Sequence, residues 1–152
     1  MGGVISDQSI TDEMNERSNR LIAEQVAKIP ADYQRQKDHI VNEMHKSSPN
    51  DFHGLNIKDY PEKNEKQVNK LAIHNVTSNQ VKYNITHEIY HEIDPIIDEK
   101  TQNLNKVAKI ATKKAIHLAI KKAVEAAVNN TQTQLERQFG VDSSKDKKNS
   151  KK

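Results

Sequence analysis

The segment His87-Glu-Ile-Tyr-His91 has the HExxH pattern. On a helix, His87 and His91 lie one turn apart on one face, so both imidazoles could hold one zinc ion. Glu88 would then stand where a general base acts on metal-bound water. The surrounding sequence withholds the rest of such a site. The longer metzincin pattern needs Gly where Asp94 stands and His where Ile97 stands. Glu92 puts a charge directly after the second histidine, and Glu99 and Glu125, the candidate third ligands, sit in no recognisable signature. Nothing upstream reads as a sheet that would bind an extended peptide. The pattern is therefore read as fortuitous: an exposed helix face rich in His and Glu, with no metal, cofactor or catalytic residue assigned. A zinc hydrolase is the remote alternative. The chain has no Cys, and its four glycines, Gly2, Gly3, Gly54 and Gly140, are too scattered to form a phosphate loop.

A second chemistry lies at the start, "MGGVIS". N-myristoylation reads Met-Gly-x-x-x-Ser/Thr, and here Gly2 and Ser6 fill the two fixed places. Removal of Met1 would expose the glycine amine, and Gly3 leaves no bulk beside it. One myristoyl chain binds membranes weakly, with K of about 10⁴ M⁻¹, so stable anchoring takes a second signal. The absence of cysteine rules out palmitate, which leaves basic residues or a protein partner.

The basic residues are concentrated near the end of the chain. Residues 1–60 carry 7 basic and 10 acidic side chains, and residues 61–100 carry 5 and 7. Residues 101–152 carry 12 and 4, a net charge of +8 within a chain of net +3. Lys106, Lys109, Lys113, Lys114 and Lys121 fall within about 140° of arc at 100° per residue, a basic helix face. Lys147, Lys148, Lys151 and Lys152 extend the charge into the tail. Each lysine near an anionic lipid surface is worth about 1 kcal/mol. The region lacks interleaved aromatics and fits no nucleic-acid reader motif, so nucleic acid is not expected as a partner.

The elements that would carry these residues are helices. Hydrophobic residues make up 34% of the 152-residue chain and aromatics 4%, too little for a large compact core. The expected fold is all-α, with elongated helices over about 11–28, 30–46, 65–77 and 85–128. A flexible N-terminus (1–8), a linker (47–63) and a disordered basic tail (141–152) complete it, so that 9–46 and 64–140 are the helical regions. Ser9, three residues before Asp12, has capping-box spacing. Met14, Leu21, Ile22, Val26 and Ile29 form a thin apolar stripe, and Pro30 opens the second helix, which carries Tyr33, Ile40, Val41 and Met44. "SSPNDFHGLNIKDYPEK" is dense in turn formers. Val68, Leu71, Ala72 and Val76 are the inward residues of the third helix. "VKYNIT" alternates like a strand, but Ile85, Ile89 and Ile93 recur at helical spacing, and a lone strand has nothing to pair with. Residues 96–128 hold no Gly or Pro and are rich in Ala and Lys, good helix formers. Leu104, Val107, Ala108, Ala111, Ala115 and Leu118 make one stripe there. Ile116, Ile120, Ala123, Val124 and Ala127 make another, and Gly140 is a natural stop.

No apolar run approaches the roughly 18 residues of a membrane span, and the start lacks the charged and apolar regions of a signal peptide. The expectation is a cytoplasmic protein associated with the cytosolic face of a membrane. It would be an N-myristoylated, non-catalytic anchor or scaffold. Its expected partners are an anionic membrane surface and an unidentified protein met through the helices, a second copy of the chain included. The alternative is a soluble helical adaptor, or a coiled-coil subunit of a larger assembly, whose thin stripes are completed by partner helices.

Overall fold

The computed structural model describes residues 7–48 and 50–141. Gly2, Ser6, Lys147, Lys148, Lys151 and Lys152 lie outside the described residues, as do positions 1–6 of the start expected to be flexible and 142–152 of the expected tail; Asp7 and Gln8, placed in that start, instead cap and open the first helix. Five α-helices follow one another: α1 (Gln8–Val26), α2 (Ile29–Lys46), α3 (Glu65–Val76), α4 (Asn79–Lys100) and α5 (Lys106–Gln138). Among the described residues there is no strand, only an isolated bridge between Phe52 and Leu55. The fold is all-α. It divides into two compact units, one built from 7–27 and 79–128, the other from 28–78 and 129–141.

In the first unit α1, α4 and the first two thirds of α5 meet along apolar seams. Ile85, Ile89, Ile93 and Ile97 recur every fourth residue on α4 and are all buried. Thr112, Ile116, Ile120, Val124 and Val128 do the same on α5. Thr11, Met14, Ser18 and Ile22 supply the seam of α1, where two small polar residues alternate with two large apolar ones. Burying each large aliphatic side chain contributes about 1.5–3 kcal/mol, so these rows dominate the unit's stability.

Several of the sequence boundaries need correction. The first helix starts at Gln8, and its cap is Asp7, not Ser9. The Asp7 carboxylate accepts from the Ile10 amide at 3.2 Å and from the Ser9 hydroxyl at 2.9 Å, so Ser9 buttresses the cap. The Asp7 amide in turn donates to Thr112 Oγ1 of α5 at 2.9 Å. The expected single helix over 85–128 is two helices, and both reach beyond those limits. The break at 101–105 has no Gly or Pro. Thr101 turns its hydroxyl back onto the Ile97 carbonyl at 2.7 Å, and Asn105 then caps α5 by accepting from the Ala108 amide at 2.8 Å. Thr and Asn offer the backbone local hydrogen bonds that compete with a continued helix. Pro95 does not end α4; it lies inside the helix on an exposed position, where the carbonyl it leaves unbonded can be hydrated.

In the second unit α2 and α3 pack through Ile29, Tyr33, Ile40 and Met44 against Val68, Ala72, Ile73 and Val76. The Tyr33 hydroxyl donates to Asn69 Oδ1 at 2.9 Å inside this core, and its ring lies 4.5 Å from that of Phe139. Within the segment 47–63, read from the sequence as a linker, residues 50–63 form successive turns that bury Leu55, and Asn64 just after them is buried too. α5 runs on past 128 to Gln138 and ends at Gly140, whose φ of +72° suits glycine. The Val141 amide donates to the Glu136 carbonyl at 2.8 Å, the Schellman closure, and Val141 and Leu135 are both buried beside it.

Candidate functional site

The first unit carries the chemistry-bearing side chains. α4 presents His87, Glu88 and His91, all exposed. The His87 ring sits between two tyrosines of its own helix, 4.0 Å from Tyr83 and 5.3 Å from Tyr90 in an edge-on contact. Tyr90 in turn stacks on His117 of α5 at 3.8 Å with only 8° between the planes, and its hydroxyl donates to the His117 carbonyl at 3.0 Å. His117 Nε2 lies 2.6 Å from Asp94 Oδ1. A ladder of four rings ending in a carboxylate therefore ties α4 to α5. Burial pushes the Tyr90 phenol above its usual range, with the Asp94 carboxylate adding to the shift, so Tyr90 stays a donor. Among the described residues no three His, Asp or Glu side chains are grouped to hold a metal.

A groove of about 380 Å³ opens along this ladder. Asn79, Lys82, Tyr83, Thr86, His87 and Tyr90 of α4 line one side, and Lys121 and Glu125 of α5 the other. Sequence reasoning did not join these residues, because the pairing of α4 with α5 sets their meeting. A second groove, of about 530 Å³, lies between α1 and α4; Arg17, Arg20, Glu24 and Glu92 line it together with Leu21 and Ile96.

The five lysines of the predicted basic face divide into two sets. Lys106, Lys114 and Lys121 are exposed, whereas Lys109 and Lys113 are half-buried. Lys113 pairs with Asp98 of α4 at 3.6 Å. Val107 and Leu118, from the first of the two apolar stripes read in the sequence, are 53% and 54% exposed, and Ile110 beside them is 47% exposed. The stripe through Ile116, Ile120 and Val124 forms the core in their place. At 100° per residue, Val107, Ile110, Lys114, Leu118 and Lys121 fall within about 80° of arc, so half-exposed apolar side chains and exposed lysines share one face of α5. No helix of the described residues is long and apolar enough to cross a membrane. Compared with protein-family models, with curated proteins and with solved structures, the chain gives no match.

Proposed function

We propose that the protein is a non-catalytic scaffold that binds the surface of an anionic membrane, acylated at Gly2 and held down by the exposed face of α5. The observation that carries this reading is the mixture on that face: Val107, Ile110 and Leu118 alternate with Lys114 and Lys121. Soluble surfaces rarely cluster large apolar side chains unless something covers them. An interfacial helix has this composition, with apolar groups entering the acyl boundary and lysines meeting lipid phosphates. The lysines supply the second signal that a single myristoyl chain lacks. The other groove, between α1 and α4, with two arginines and two glutamates in its lining, is left for protein contacts.

The test is replacement of the acceptor. Gly2→Ala moves the protein from the membrane to the soluble fraction, and the intact mass of the wild-type chain from eukaryotic cells carries a tetradecanoyl group in place of Met1. An unmodified mass together with unchanged fractionation of the variant refutes the acyl anchor.

A further inference from the structure

The α4–α5 groove holds more chemistry than a membrane-binding face requires. Lys82 and Lys121 enter it from different helices, and neither has an ion-pair partner among the described residues. His87 stands in the same groove with its ring fixed between Tyr83 and Tyr90. Against these, Glu125 is the one carboxylate in the lining. Asn79 and Thr86 add neutral hydrogen-bonding groups. At about 380 Å³ the groove is within the range of small-ligand sites. Two ammonium groups and an imidazole donor, opposed by a single carboxylate, suit a compact anion of one or two charges; Glu125 works against anything more highly charged. The exposed Tyr83 ring and the fixed Tyr90 ring offer two flat walls to the organic group of such a ligand. Lys121 also belongs to the exposed face of α5, one turn beyond Leu118, so the groove opens where that face would meet a bilayer.

We propose that this groove is a phosphate-monoester site. Lys82 and Lys121 bind the phosphate oxygens, and His87 donates a further hydrogen bond. The proposal deepens the membrane reading and rests on it for the source of the ester. A lipid head group such as that of phosphatidic acid, and a soluble ester such as glycerophosphate, share the chemistry, and the assay separates them.

The acylated full-length chain is titrated with two kinds of phosphatidylcholine vesicle matched in surface charge, one doped with phosphatidic acid and the other with phosphatidylserine. Glycerophosphate is titrated separately and followed by amide chemical shifts. The expected result is a preference for phosphatidic acid of about fivefold, the factor associated with one added lysine–phosphate contact. The preference falls to near unity in Lys82→Ala and in His87→Ala, and it persists in Lys58→Ala, a control outside the groove. Equal binding to both vesicles, with no glycerophosphate shifts at Lys82, His87 or Lys121, overturns the groove assignment while leaving membrane binding standing. A preference that survives Lys82→Ala and His87→Ala overturns it as well. Glycerophosphate shifts confined to the groove in a protein that binds neither vesicle retain the phosphate site with a soluble ester and refute the membrane reading. Neither shifts nor vesicle binding refutes both.

Discussion

Replacing Val107, Ile110 and Leu118 together with Ser tests the face of α5 most directly. Complete burial of an aliphatic side chain is worth about 1.5–3 kcal/mol, and about half of each of these side chains remains exposed in the folded protein. Each therefore has roughly 1 kcal/mol left to gain in a bilayer interface, and the three together have about 3 kcal/mol. At about 1.4 kcal/mol per decade, the triple variant should bind anionic vesicles about a hundredfold more weakly. Replacing Lys114 and Lys121 with Ala should cost about 2 kcal/mol, or about thirtyfold, at low salt. The two losses differ in salt dependence. The lysine effect should shrink as salt shortens the screening length from ~10 Å at 0.1 M to ~3 Å at 1 M, while the apolar effect should persist. Vesicle co-sedimentation of the acylated chain across a salt series reads both. The buried half of each apolar side chain contributes a similar ~1 kcal/mol to folding, so the triple variant should also unfold at a lower temperature and its binding is read well below that midpoint, whereas the lysine replacements should leave folding stability within about 0.5 kcal/mol. Wild-type binding by the triple variant would refute the reasoning, as would a triple-variant loss that vanishes at high salt.

Three further outcomes concern the scaffold. Tyr33→Phe strands Asn69 Oδ1 in a buried site and should cost about 1–3 kcal/mol in urea unfolding. Burial, with Glu65 and Tyr60 nearby, raises the Tyr33 phenol to about 12 from 10.0, so its contribution is present in full below pH 10 and is lost as pH rises towards 12; that alkaline loss should be smaller in the Phe variant. Ile93→Ala, at a fully buried position in the α4 seam, should cost about 2–5 kcal/mol, and a loss below 1 kcal/mol would mean that the seam is misplaced. The Asp7 carboxyl is held below its usual 3.8 by the Ile10 amide and then the Ser9 hydroxyl. Its capping contribution is therefore present above that value and lost as pH falls through the lower folded one, so amide exchange at the start of α1 should quicken there first, and at neutral pH in Asp7→Ala.

The helices were legible where one apolar row dominated. Ile85, Ile89, Ile93 and Ile97 can be read as a helix seam despite the strand-like alternation around Val81, and Gly140 marks the stop of α5. The inward face of α5 was harder to read because an Ala-rich helix offers two stripes of similar apolar content. Which stripe turns inward depends on what faces it, and the isoleucines of α4 that select Ile116 and Ile120 are some 20–30 residues away in sequence. The break at Thr101–Asn105 was missed for a local reason: hydroxyl and amide side chains end a helix without the usual Gly or Pro. The histidine pair drew notice through its spacing, but the partner of His87 is not His91. Tyrosines three and four residues away hold its ring, and only the pairing of α4 with α5 brings Lys121 across from Lys82.

The ring ladder also gives the groove an optical signal of its own. The chain has four tyrosines and no tryptophan, so no indole drains or masks their emission. Two of the four, Tyr83 and Tyr90, form the groove wall, and Tyr90 is stacked face to face on an imidazole. Near-ultraviolet dichroism and tyrosine fluorescence of the unlabelled protein thus report disproportionately on this one cleft. Tyr33→Phe and Tyr60→Phe together would leave both remaining chromophores within it.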